Sequence, residues 1–329
     1  MIIYTSGLHG AKNLAKWQCL SCAHSDQSYC SGTNCWVMIR YLLFITLPLF
    51  IVTGISSPGF GSQEIPAIHV TAPPVIDGEA TDAVWQNVQE IKTYDKTADL
   101  TITLKAVYTD AEIFLLINFP DPDESRTHKS WIWDSGRELY TVGNDREDVF
   151  VIKWGITPGT TDLSINADNP YQADIWYWKA CRTDGIGFAD DKLHTYSEKE
   201  NSDATKTVSR SGKTMYLLRT GDTGTSGYST TLHSEYEGDI LPRFRVNQPT
   251  GSRGDVRAKG RWDKGFWTIE FGRKFQTGNE DDVQFNTTQK FLFGVSRYEI
   301  AGRELASKLS DPLFGTGDVS ESLWLKFMK

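Results

Sequence analysis

The sequence predicts an all-β protein: an antiparallel β-sandwich with short helical turns and a long loop excursion. Three observations carry that expectation. Apolar residues recur with period two in run after run. Aromatic residues make up 12% of the 329 residues, with eleven tryptophans, and such side chains pack well on pleated surfaces. Turns marked by glycine and proline separate the runs, and helical periodicity is scarce.

The first 61 residues read as a targeting signal and its overhang. Residues 38–40 (MIR) precede the apolar run LLFITLPLFIV at 42–52, and the small-residue stretch TGISSPGFGS follows. That is the plan of a secretory signal, too short and too interrupted by Pro48 to span a membrane. Residues 1–37 are therefore expected to be a start-site overcall, 38–61 a signal peptide, and 62–329 one exported β-sandwich domain, periplasmic or extracellular. Cys19, Cys22, Cys30 and Cys35 fall in the removed part. Cys19 and Cys22 have the two-residue spacing of a zinc knuckle, but Cys30 and Cys35 supply no regular second pair. The mature chain keeps Cys181 alone, hence no internal disulfide, and 31 basic against 41 acidic residues, a net −10. No basic cluster is available to neutralise phosphates, which argues against nucleic acid as a partner.

The mature elements follow in order. In IPAIHVTAPPVIDGEATDAVWQNV, Ile68, Val70 and Ala72 alternate, Asp77-Gly78 turns, and one helical turn buries Trp85, which reads as an edge element closing the sandwich. LTITLKAVY and IFLLINF form a hairpin whose second strand is apolar enough to be buried on both sides. Residues 149–156 (VFVIKWGI) add a strand. Residues 195–230 are polar, show no sustained period, and form the excursion. GRWDKGFWTIEFGRKF turns at DKG, KFLFGVSRYEI follows, and SLWLKF closes the sheet. Strands at this spacing suit one sandwich.

Three pieces, PPVIDGEATDAVW, DIWYWKACRTDGIGFADD, and GFWTIEFGRKFQTGNEDDVQF with FLFGVSRYE, occur in that order. Together they resemble the haem-binding family related to the gamma subunit of ethylbenzene dehydrogenase and other type II dimethyl-sulfoxide-reductase-like enzymes. The first piece is also similar to family 9 carbohydrate-binding modules. The resemblance spans about residues 66–327 and implies a sandwich holding non-covalent haem b at one end. It also implies an exported electron relay beside a molybdenum subunit and an iron–sulfur subunit. Family members described best hold the iron through a methionine shortly before the Trp-x-Trp-Lys block and a lysine shortly before the last strand. Here DLSINADNPYQ has no methionine and FGTGDVSE no lysine. Met215, Lys308 and His194 are the candidates to substitute as axial ligands, histidine being the commonest by chemistry.

In ADIWYWKAC, Trp176 and Trp178 share one strand face and Tyr177 and Lys179 the other. The indole pair is either plain core or the floor of a flat pocket with Lys179 or Arg182 pairing a carboxylate at its rim. Arg182 equally suits an ion pair with Asp184, Asp190 or Asp191. Cys181 reads as a small buried hydrophobe. The turns FPDPDES and GNDRED read as solvated, with Asp121, Asp123 and Glu124 a subordinate calcium candidate. No Gly-x-Ser-x-Gly, His-Glu-x-x-His or phosphate loop is present. The expectation is a haem-b electron-transfer subunit whose redox partner does the catalysis. The alternative is a carbohydrate- or ligand-binding module without haem, in which Trp131, Trp133, Trp176 or Trp178 stacks on sugar.

Overall fold

The computed structural model describes residues 63–96, 98–298 and 318–329. The segments read as overhang and signal peptide, and Lys308, lie outside the described residues. The strands in chain order begin with β1 (Gln63–His69), β2 (Ile91–Asp95), β3 (Leu100–Tyr108) and β4 (Glu112–Pro120). A small hairpin, β5 (Trp131–Asp134) and β6 (Leu139–Val142), precedes β7 (Val149–Gly155), β8 (Tyr171–Lys179) and β9 (Asp190–Ser197). Then come β10 (Thr205–Val208), β11 (Thr214–Gly221), β12 (Tyr228–Thr230), β13 (Ile240–Leu241) and β14 (Phe244–Val246). The chain ends with β15 (Arg257–Asp263), β16 (Phe266–Lys274), β17 (Lys290–Tyr298) and β18 (Leu323–Met328). Among the described residues the remaining regular structure is short 3-10 turns, among them Ala83–Trp85.

One sheet runs β10-β11-β9-β8-β7-β17-β18-β1-β3-β4-β16-β15, with β2 added beside β3. It folds back on itself, so that β7 and β8 face β4 and β16. The rings of Phe119 and Phe150 meet at 5.3 Å, Trp178 and Trp267 at 4.8 Å, and Trp176 and Phe271 at 6.4 Å across the interior. Period-two alternation supplies this layer: Trp176 and Trp178 from β8, and Trp267, Ile269 and Phe271 from β16, are all buried in it. Truncating one such tryptophan costs about 3–5 kcal/mol.

The expectation of an edge at the N-terminus is corrected. β1 lies inside the sheet and pairs in parallel with both β18 and β3. Its Ile65 and Ala67 face the main core, while Ile68 and Val70 pack outward on the cluster around Trp85. The Asp77-Gly78 turn is fixed by Glu270, whose carboxylate accepts from Gly78 N at 2.8 Å and Trp85 Nε1 at 2.8 Å. At φ +82 and with a would-be Cβ 2.9 Å from Arg261 N, position 78 admits only glycine. The β3–β4 and β15–β16 hairpins form as expected. In the latter, Lys264 and Gly265 both take positive φ (49 and 85), the type I′ geometry that matches strand twist.

The polar excursion carries β10 and β11, which widen the sheet beside β9, and then β12. In β11 the buried residues, Met215 and Leu217, are only two alternating positions in a polar run. Pairing with β9, which is non-local, makes the strand. The β12–β14 pair and the three-stranded β13-β5-β6 sheet are separate small sheets.

Candidate functional site

The strand β8 is a partition, and its alternation sorts the candidate residues onto two sides. Asp174, Trp176 and Trp178 point into the sandwich, and Ala173, Ile175 and Tyr177 point to the outer face. Trp178 donates Nε1–H to Asp184 Oδ1 at 2.9 Å, and the Arg273 guanidinium lies over the Trp176 ring at 5.0 Å. Both indoles are fully buried. Lys179 continues the outer side, so the two tryptophans and Lys179 do not line one pocket.

On that outer side Lys179 donates Nζ–H to Asp190 at 2.5 Å, and Arg253 donates to the same carboxylate at 3.0 Å. Lys192 lies 3.2 Å from it and Tyr228 hydroxyl donates at 3.3 Å. Burial pulls the Lys179 ammonium down to about 8, with Asp190 opposing the shift, so it stays charged at neutral pH. For Asp190, burial is outweighed by Lys179 and Lys192, and its carboxyl is held below the ordinary range. Arg182 pairs with Glu147, whose other oxygen accepts from Cys181 N at 2.7 Å and Arg182 N at 3.0 Å. Burial, then Glu147, pushes the Cys181 thiol up to about 11.

Farther along the same outer face, β7, β8, β9 and β11 bring His194, Lys153, Tyr171 and Met215 onto one side. Met215 is buried in the apolar cluster of Leu163, Ile165, Tyr171, Tyr196 and Leu217. Lys153 Nζ donates to Tyr171 hydroxyl at 2.7 Å, and burial lowers its ammonium to about 7. The His194 ring is buried, and its Nδ1 has no hydrogen-bond partner. Burial, reinforced by Lys153, Arg219 and Lys192, holds its pKa well below the ordinary imidazole value, so the ring is neutral.

The calcium candidates do not converge. Asp121 is buried and ion-paired with Arg297, and Glu124 pairs with Arg126 at 2.5 Å. Among the described residues the carboxylates that do converge are Asp174, Asp191 and Asp282, with oxygens mutually within 4.8 Å. They sit on the inner side of β8 and β9 and on the β16–β17 connection. Arg273 of β16 donates to Asp174 at 2.5 Å and lies 3.5 Å from Asp282. Burial and then Asp174 push Asp191 well above the carboxylate range and Asp282 up to about 7. Asp222, directly after β11, is pushed up to about 8 by burial, then by Asp281 and Asp174. This cluster escaped the sequence reading. A signal was present, since Asp174 shares the face of Trp176 and Trp178, and Arg273 that of Trp267 and Phe271.

Aromatic side chains that remain partly accessible gather on the small sheet. Trp133 meets Tyr140 at 5.0 Å and Tyr236 at 5.2 Å, and the Arg243 guanidinium lies 4.8 Å over Trp131. Leu232, Tyr236 and Ile240 are exposed beside them. No helix among the described residues is long and apolar enough to cross a membrane.

The chain is similar to a family 9 carbohydrate-binding module from Caldicellulosiruptor kristjanssonii solved with cellotriose. The identity is 14%, over 81% of this chain and 95% of that one, with a TM-score of 0.35. It is also similar to a protein from Bacteroides uniformis, proposed to bind carbohydrate, at 10% identity over 82% and 100% of the two chains and a TM-score of 0.37. No curated protein matches it. The model of one family, described as ethylbenzene dehydrogenase, matches residues 63–305, most of the sandwich including β8, β9 and β16, and the chain belongs to that family.

Proposed function

We propose that the chain is an exported, non-catalytic electron-transfer subunit that carries a b-type haem on the outer face of β7, β8, β9 and β11, and works with a redox partner such as a molybdenum or iron–sulfur subunit. The observation that carries this reading is His194: a buried, neutral imidazole with an orphaned Nδ1, in a chain of this family. A buried polar atom without a partner is costly, and an imidazole nitrogen in that state suits iron. When bound, haem would supply one-electron chemistry. His194 would hold the iron, Lys153 and Lys192 on the same face would face the propionates, and Met215 would belong to the apolar wall. Trp176 and Trp178 are on the other side of the layer and take no part.

The test is an absorption spectrum of the exported chain from a haem-sufficient host, before and after dithionite. A Soret band with sharpened reduced α and β bands is expected, and His194→Ala is expected to shift or abolish it. A featureless spectrum after haem is added to the folded protein overturns the reading, and an unchanged spectrum in His194→Ala removes His194 from it.

A second reading is favoured by the aromatic patch on the small sheet. Trp131, Trp133 and Tyr236 present accessible rings of the kind that stack on sugar faces, and a haem-free module would use them. Glycan titration followed by tryptophan fluorescence, repeated in Trp133→Ala, separates it from the first reading, because haem on the outer face leaves that patch untouched.

A further inference from the structure

We propose that Asp174, Asp191 and Asp282, with Asp222 beside them, form a binding site for one hard divalent cation, calcium by preference, inside the sandwich.

The three carboxylates come from β8, β9 and the β16–β17 connection, and one oxygen of each lies within 4.8 Å of the others. Oxygens that share a metal ion lie at such separations. The donor set is all oxygen, with no sulfur or imidazole, which selects calcium, magnesium or manganese over zinc or copper. Calcium takes six to eight oxygens in a flexible shell, and carboxylates on three separate elements suit it better than the strict octahedron of magnesium.

A second observation is independent of that convergence. Asp222, at the end of β11 and 6% exposed, stands against the Asp191 carboxyl, yet no other side chain or backbone donor reaches either of its oxygens. Asp191 is fully buried, no donor reaches its Oδ2 or Asp174 Oδ1, and Asp282 Oδ1 has only the Arg273 guanidinium at 3.5 Å. Among the described residues the cation here is Arg273, which pairs with Asp174 and Asp282 and donates to the Val283 carbonyl. Four carboxylates against one guanidinium leave an excess of negative charge in a dry interior, which folding tolerates only when a proton or a metal ion offsets it.

A bound ion would add a further tie among three elements at this end of the sandwich: the β8–β9 pair, the exit of β11, and the 275–289 connection. It would serve as a staple in a fold whose one cysteine among the described residues, Cys181, is free.

The experiment uses the exported chain stripped with EDTA. Calorimetric titration with calcium chloride at pH 7.5 is expected to give saturable binding at one site, and saturation to raise Tm by a few degrees or more. Terbium is expected to bind competitively and to give tryptophan-sensitised emission, because Trp176 stands opposite Asp191 in the β8–β9 register. Asp282→Asn removes a ligand and relieves like-charge crowding, so it is expected to weaken calcium at least about tenfold while the cation-free Tm holds or rises. A ligand-free structural role would instead leave binding absent in both forms. Folded protein that binds neither calcium, magnesium, manganese nor terbium, with a Tm indifferent to all four, overturns the proposal and leaves the carboxylates neutralised by protons. Full calcium affinity in Asp282→Asn overturns it as well, by placing the ion elsewhere.

Discussion

Asp190 and Asp191 are adjacent in β9, and their carboxylates face opposite charge: Asp190 turns outward to Lys179 at 2.5 Å, and Asp191 turns inward to share a dry pocket with Asp174 and Asp282. Strand alternation alone produces the split, since Asp190 is registered with Tyr177 and Asp191 with Trp176. One carboxylate is held ionised by three cations. The other is pushed toward its protonated form by burial and its acidic neighbours.

The two positions should therefore respond in opposite directions to the same substitution. Asp190→Asn strands Lys179, Lys192 and Arg253 around a neutral amide and is expected to cost about 3–5 kcal/mol. Asp191→Asn, in cation-free protein, is expected to stay within about 1 kcal/mol of wild type or to gain stability. Urea unfolding of both variants at pH 7 in EDTA checks the pair. Equal losses at the two sites would show that the electrostatic contrast is not what distinguishes them.

Asp148 supplies a pH dependence. Its Oδ2 accepts from Ser125 N at 2.7 Å and Trp267 Nε1 at 3.0 Å, while Oδ1 is buried without a partner. Burial raises its pKa from 3.8 to about 7. The folded state thus holds this proton more tightly than the unfolded chain does. The resulting stability is fully present below about pH 4, fades as pH rises toward 7, and is gone above it. Over that window the slope is at most about 1.4 kcal/mol per pH unit. Asp148→Asn keeps an acceptor for both donors and carries no charge, so the wild-type-minus-variant stability difference should fall by that slope between pH 4 and 7. A flat difference would mean the carboxyl ionises normally in the fold.

Cys181 should be a poor nucleophile. With its thiol pushed up to about 11, roughly one molecule in a thousand carries the thiolate at pH 8. Iodoacetamide labelling followed by site-resolved mass spectrometry is expected to be slow in native protein and fast in guanidinium chloride. Rapid native labelling would point to an opened turn after β8.

Much of the sandwich was legible because period two is local: Trp176 with Trp178, and Trp267 with Phe271, announce a buried face from four or five residues. Parallel pairing of β1 was not, since its partners β3 and β18 lie far along the chain and leave no mark on its own residues. Nor was the acid cluster, whose members sit on four separate segments and each read alone as an ordinary polar position. The indole pair was readable as core or as pocket floor, and only the facing layer, with Trp267 and Phe271 already against it, fills the space a ligand would need.

That same layer makes Gly260 sensitive. It lies in β15, opposite Trp178, and a Cβ built there stands 2.5 Å from the indole Cζ2. The indole has no room to retreat. It meets Trp267 edge-on at 4.8 Å on one side, and its Nε1–H is committed to Asp184 Oδ1, the oxygen that also accepts from Gly260 N at 2.6 Å. Relief would require β15 to move away from the core, loosening that shared bond, or the indole to leave its rotamer. Gly260→Ala is thus expected to cost about 1–3 kcal/mol, more than the few tenths that an exposed strand glycine would lose or gain. Thermal unfolding, together with the near-ultraviolet circular dichroism of the buried tryptophans, checks it. A variant as stable as wild type with an unchanged aromatic spectrum would mean that the Trp-x-Trp block packs less tightly against β15 than the structure has it.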